Sequence, residues 1–361
     1  MGQFVIRRVL SAIPVLFGIV IIAFAMLRFI PGDPCRAVLG ERATDEICDA
    51  YFERVGLNEP VYVQFFLYIG RVLQGDLGTS LRFGLPISEL LISRMPTTVE
   101  LTLAAILFAI LVGVPLGIIS AYYHNSPLDV GTMIFANIGV SMPVFWLGAM
   151  LSLLFGVYLR DTVFALPPTG SVSATFPQEA FYFVWGLYPA GTPNTEINDF
   201  VRFLGELNLL NGLLTWNWAL IGETLRFLVL PAITVGTIPL AITARMTRSS
   251  VLEVLNLDYI RTARAKGLGE SAVVVSHALR NALLPVVTVI GLNFGLLISG
   301  AVLTETVFGL TGIGLTLVDA IESRDYVVVQ AFTLITASAF VVINLLVDIL
   351  YAYLDPRIRL D

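Results

Sequence analysis

Six apolar blocks, each long enough to cross a bilayer as one helix, divide this chain and confine it to a membrane-embedded helical fold. A helix needs about 20 apolar residues to traverse a hydrocarbon layer about 30 Å thick. The blocks run at Phe4–Ile30, Pro96–Tyr122, Leu128–Leu159, Leu225–Met246, Ala282–Thr304 and Tyr326–Leu354. Backbone polar groups in lipid must be satisfied within each segment, which predicts helices and not an open sheet. Punctuation supports the divisions. Pro96 opens the second block, Asn125-Ser126-Pro127 separates the second from the third, and Pro231 and Pro285 sit near the starts of the fourth and fifth. Only 13% of residues are charged and 57% are hydrophobic, whereas about a quarter of a soluble domain is charged. The medium is lipid.

The first block begins with Arg7 and Arg8, like a signal peptide, but it is too long and ends without a small-residue cleavage site, so it reads as a retained span. Positive charge sets the orientation. With both termini cytoplasmic, Arg7, Arg8 and the basic connection holding Arg245, Arg248, Arg261, Arg264, Lys266 and Arg280 all fall inside. The prediction is one transmembrane domain over 1–361. Residues 31–95 and an acidic insertion at 160–224 lie outside, and a loop at 247–281 lies inside. A loop as long as 160–224 is expected to have its own structure. Cys35 and Cys48 both fall in the first outer segment. In an oxidising compartment a bridge between them would stabilise that segment by about 3 kcal/mol. Two unpaired buried thiols are the alternative; the bridge is favoured because neither has another cysteine to join.

The sequence lacks the means to convert energy. A phosphate-cradling loop needs G-x-x-x-x-G-K-[ST], and Lys266, the sole lysine, is flanked by Ala265 and Gly267 and followed by Leu268. His124 and His277 stand apart from any metal-ligand spacing, and no basic, aromatic-interleaved stretch suits nucleic acid. Ion-coupled carriers display ionisable groups at mid-membrane, yet Glu100 and Glu305 fall near predicted span ends, where they can snorkel. Asp348 shares a helix face with Asn344 and is expected to make an interhelical contact, as are Asn137 and Asn293. Energy must come from an ion gradient or from another subunit.

The loop between the fourth and fifth blocks has the clearest local grammar. Asp258 is placed to cap a short helix, Tyr259–Lys266, and Gly267 to end it in the left-handed conformation. Arg264 and Lys266 in its last turn complement the helix dipole. Ala263, Ala265 and Gly267 are small enough for another protein surface to approach. A helix lying on lipid headgroups would have the same composition.

The run from Asp258 to Leu268 (DYIRTARAKGL), followed by His277-Ala278-Leu279-Arg280-Asn281-Ala282-Leu283-Leu284-Pro285, resembles the cytoplasmic signature loop of ABC importer permeases in the oligopeptide/dipeptide/nickel permease family. Pro31-Gly32-Asp33-Pro34, Gly75-Asp76-Leu77-Gly78-Thr79-Ser80, Arg94-Met95-Pro96-Thr97-Thr98-Val99-Glu100-Leu101, Glu305-Thr306-Val307-Phe308-Gly309 with Gly312-Ile313-Gly314, and Asp348 to Arg357 match in the expected order. Two departures, Arg261-Thr262-Ala263 in place of Glu-Ala-Ala and a longer Gly267-to-Pro285 spacing, narrow the family to its peptide branch.

The resemblance implies an all-α type I importer permease of a prokaryotic inner or plasma membrane, forming half of a pathway for di- or oligopeptides. Nickel chelates or oligosaccharides are the alternative substrates. It implies a coupling helix at Asp258–Leu268 whose Tyr259, Thr262, Ala263 and Gly267 enter a groove of a cytoplasmic ATPase, with Arg261, Arg264 and Lys266 at the rim. Implied partners are a second homologous permease, one or two ATPase subunits that hold ATP and Mg, and an extracytoplasmic substrate-binding protein. The gate is expected near Glu305, Phe308, Gly309 and Gly312. The 160–224 insertion is expected to be a cap that contacts the binding protein or covers the pathway mouth, or else a stabilising decoration. An ion-coupled carrier, the reading from another class, would take up substrate without an ATPase. A membrane enzyme would act as the purified chain alone.

Overall fold

The computed structural model describes residues 2–29, 43–55, 58–80, 82–170, 172 and 179–354. Cys35, the Pro31–Pro34 motif and the tail from 355 onward lie outside these residues. Among the described residues, regular structure is helical apart from one isolated bridge between Thr79 and Pro86. Five continuous helices are long and apolar enough to cross a membrane, and two further helix pairs qualify as bent units.

Close contacts set the directions of the crossings. The second span (Ile87–Tyr122) and the fourth (Trp218–Leu255) run parallel. A Cβ on Gly236 would stand 2.9 Å from the Ala105 carbonyl, one on Gly113 2.9 Å from that of Leu240, and one on Gly117 2.6 Å from that of Ala244. Glycines spaced four apart let two helix backbones approach where lipid offers no hydrophobic drive to associate. Gly117→Leu should therefore wedge these spans apart. We expect a loss of about 3 kcal/mol, read as a lower unfolding midpoint in detergent. Gly131→Leu, at a site with nothing within 4 Å of an added Cβ, should leave the midpoint unchanged.

The third crossing is broken. Pro127–Ser141 and Val144–Tyr158 meet at 100°, which corrects the continuous helix expected over Leu128–Leu159. Pro143 has no N–H to continue the helix, and it holds Met142 extended at φ −112° and ψ 141°. The halves still climb the fourth span in order, with Asp129 at Arg248, Gly139 against Thr237 and Gly148 against Thr234. The fifth span (Leu279–Gly300) and the sixth (Tyr326–Leu354) are antiparallel, with Gly291 against Val347 and Gly295 against Phe340. The first span (Gly2–Phe29) reaches the inner end of the sixth through Arg8 and Asp348, 3.3 Å apart, the interhelical contact expected of Asp348. Asn137 and Asn293 instead bond carbonyls of their own helices, at Met133 and Val289.

The second and fourth spans have 36 and 38 residues, hence lengths of about 54 and 57 Å, nearly twice the hydrocarbon thickness. Pro96 and Pro231 lie well inside them, and Pro285 inside the fifth, instead of marking helix starts. Neighbouring helices make interior prolines tolerable in membrane proteins.

The outer overhangs carry a small structured cap. Its helices Phe181–Val184, Asp199–Glu206 and Asn208–Leu214 gather around buried Phe181, Tyr182 and Ile197. Asn211 ties the cap together by accepting from the Phe181 N–H at 2.7 Å and donating to the Glu179 carbonyl at 3.2 Å. Arg202 anchors it to Glu89 of the second span at 3.3 Å. Glu100, expected to snorkel, is buried and accepts from the Leu209 N–H at 2.6 Å, close to the start of the last cap helix. Cys48 is buried, and no cysteine among the described residues is free.

Candidate functional site: the cytoplasmic loop and the outer turn

The loop helix spans Asp258–Ala265 and emerges two residues after the fourth span ends. Leu257 holds the N-cap position without a side-chain cap bond, so Asp258 is not the cap but the first helical residue. Its carboxylate accepts instead from Arg261 at 3.1 Å. Gly267 ends the segment at φ +80°, as its position predicts. One face of the helix turns inward. Ile260 and Ala263 are buried with Val251 and Val254 of the fourth span, Ala121 of the second, and Val273, Ala278 and Ala282 on the way into the fifth. Ala263 is 7% exposed and packs within this chain, which corrects its expected place in a partner's groove. Asp258, Tyr259, Arg261, Thr262, Arg264, Ala265, Lys266, Gly267 and Leu268 are exposed, with Tyr259 39% accessible.

Two polar contacts fasten the loop helix to the chain leading into the fifth span. Arg264 Nη2 donates to Glu270 Oε1 at 2.6 Å, and its Nε lies 3.2 Å from both carboxylate oxygens. These bonds raise the Arg264 pKa above its ordinary value, so the guanidinium keeps its charge. The Tyr259 hydroxyl accepts from Asn281 Nδ2 at 2.8 Å and donates to the His277 carbonyl at 3.4 Å.

Just above this loop sits a clasp that the sequence pattern did not reveal. Asp129, at the start of the third span, receives Arg248 Nε and Nη2 of the fourth, each at 2.8 Å. Ser120 of the second span and the Asn125 N–H also donate to the same carboxylate. Four donors converge on one carboxylate, whose side chain is 7% exposed. A clue lay in the sequence: an acid two residues after a Ser-Pro helix start, facing a basic fourth span.

At the outer end, Val302–Phe308 and Ile313–Glu322 meet at 86°. At 7 and 10 residues they extend about 10 and 15 Å, and because the fifth and sixth spans on either side are antiparallel, the pair enters and leaves on one side as a re-entrant turn. Thr304 and Glu305 belong to this turn and not to the fifth span, which ends at Gly300. Glu305 does not snorkel. It is fully buried, its Oε1 accepts from Thr98 Oγ1 of the second span at 2.6 Å, and its Oε2 accepts from the Leu315 N–H at 3.1 Å. Thr98 Oγ1 in turn accepts from the Ile313 N–H at 2.9 Å. The acid and the threonine thus satisfy free N–H groups at the start of the second short helix. Gly312 is required here because a Cβ would collide with the Glu305 carboxylate. Gly309 ends the first short helix at φ +61°. Phe308 is buried against Gly148 of the third span. Of the expected gate residues, Glu305 and Gly312 meet directly, while Phe308 and Gly309 serve packing and chain reversal.

Crossings of this order, with a short loop helix packed on three spans and a bent outer turn, define a multi-pass helical membrane protein. The chain belongs to the family described as binding-protein-dependent transport system inner membrane component, whose profile matches residues 113–360; the corresponding N-terminal profile matches residues 1–102. It is 45% identical to the dipeptide transport system permease protein DppB of Alkalihalophilus pseudofirmus, over 99% of this chain and 100% of that protein. It is 42% identical to the DppB of Escherichia coli K12, over 99% of each chain. The oligopeptide transport system permease protein AppB of Bacillus subtilis is 38% identical over 99% of this chain and 100% of its own length. The protein is therefore a multi-pass inner-membrane transport component.

Proposed function

We propose that this chain is the permease subunit of an ATP-driven peptide importer, contributing half of the pathway beside a second, homologous permease. The observation that carries this reading is the loop helix: its exposed side offers Thr262, Ala265 and Lys266, while its inner side is packed into the ends of three spans. A push from a soluble partner would be passed directly into the membrane. ATP and Mg²⁺ are bound by one or two cytoplasmic ATPase subunits, and this chain needs no cofactor. The ATP-bound state must favour the outward form by about 5.5 kcal/mol to move its population from 1:99 to 99:1. An extracytoplasmic binding protein delivers the peptide to the re-entrant turn, and the cap at 179–217 gives that protein a landing surface. The peptide substrate rests on the full-length similarity to dipeptide and oligopeptide permeases.

The test is peptide uptake into proteoliposomes holding both permeases, the ATPase subunits and loaded binding protein. Uptake should cease when the ATPase subunits are omitted and persist when ion gradients are collapsed. Uptake that survives without the ATPase but fails with the gradient would contradict the proposal.

A further inference from the structure

We infer that the Tyr259 hydroxyl is the joint through which the loop helix moves the fifth span, and not a contact for the ATPase. The inference rests on the coupling role proposed above and assigns one residue within it. Hydrophobic packing through Ile260 and Ala263 seats the loop helix among three spans, but such contacts are non-directional. The Tyr259 hydroxyl is directional, and both its partners, Asn281 and the His277 carbonyl, lie on the path into the fifth span.

The place where it grips is the weak stretch of that path. Val273–Ala278 forms a wide π turn that holds one partner, His277, near its end and leads directly to the other, Asn281. Pro285 lies four residues after Asn281 and has no N–H to bond the Asn281 carbonyl. Kinks and register changes in helices concentrate at π turns and prolines. The Arg264–Glu270 pair holds the chain before the π turn, and Tyr259 holds the end of the turn at His277 and the start of the fifth span at Asn281. A displacement of the loop helix is thus imposed on residues 279–284 across a turn that can change its winding. Tyr259 is a positioning residue for transport.

The experiment uses the whole complex in proteoliposomes and measures ATP hydrolysed, peptide imported and ATPase retained on purification. Losing one hydrogen bond shifts an equilibrium by about fivefold. Tyr259→Phe should keep the ATPase bound and its hydrolysis near wild type, while peptide imported per ATP falls about fivefold. Asn281→Ala should match it, and the double variant should be no worse. Asn281→Gln, which still offers the hydroxyl an N–H donor, should restore much of the ratio. Wild-type stoichiometry in Tyr259→Phe would overturn the inference. So would loss of the ATPase from that variant, which would make Tyr259 a docking contact and leave the coupling reading intact. If Ala265→Trp on the exposed side failed to release the ATPase, the coupling reading itself would fall, and the inference with it.

Discussion

Asp129→Ala is expected to be the most damaging single substitution on the cytoplasmic side, with a loss of about 2–3 kcal/mol, because several hydrogen bonds to one charged group are lost while the stranded Arg248 stays partly solvated. The carboxylate collects Arg248, Ser120 and the Asn125 N–H, so its removal frees the inner ends of the second, third and fourth spans together. Ala121 and Val251, which flank the clasp, help seat the loop helix, so slack here should also weaken transport. Unfolding midpoints in detergent measure the effect. The double variant Asp129→Ala/Arg248→Ala should be more stable than Asp129→Ala alone, because no unpaired guanidinium remains. Additive losses would show that the two residues act independently.

Glu305→Ala is expected to disable the outer turn. It strands the Thr98 hydroxyl and the Leu315 N–H in a buried site, at about 1–3 kcal/mol for each group. Since about 1.4 kcal/mol is a factor of ten in a population, transport should fall by at least tenfold. Gly312→Ala should behave alike, because its new methyl group would displace the same carboxylate. Hydrogen exchange across 302–322 should accelerate in both variants while the loop at 258–268 stays as protected as in the wild type. Unchanged exchange at the turn would mean that its shape does not depend on Glu305.

Much of this fold was legible because lipid leaves a short list of solutions. Apolar length located most of the crossings. What escaped was the behaviour of proline and of acids near span ends. Pro96 and Pro231 read as boundaries in a soluble helix, yet here they sit within spans that run far past the hydrocarbon. Pro143 did break its helix, where the apolar run gave no sign of a break. Glu100 and Glu305 looked like snorkelling residues because one-dimensional position cannot show which partner a carboxylate meets. Each instead bonds a backbone N–H at or near the start of a short helix, 109 and 10 residues away in sequence, respectively. In the loop, glycine and the dipole pattern fixed the helix, but only packing separates buried Ala263 from exposed Ala265.

The loop helix as the coupling site is tested most directly by co-purifying the ATPase subunits with Ala265→Trp and Thr262→Trp, compared with the wild type, in mild detergent. Both positions are exposed, so the fold and the association with the second permease should persist. Wild type is expected to retain the ATPase, and both variants to lose it. Retention by both variants at wild-type levels, with folding intact, would contradict the assignment of this helix as the coupling site.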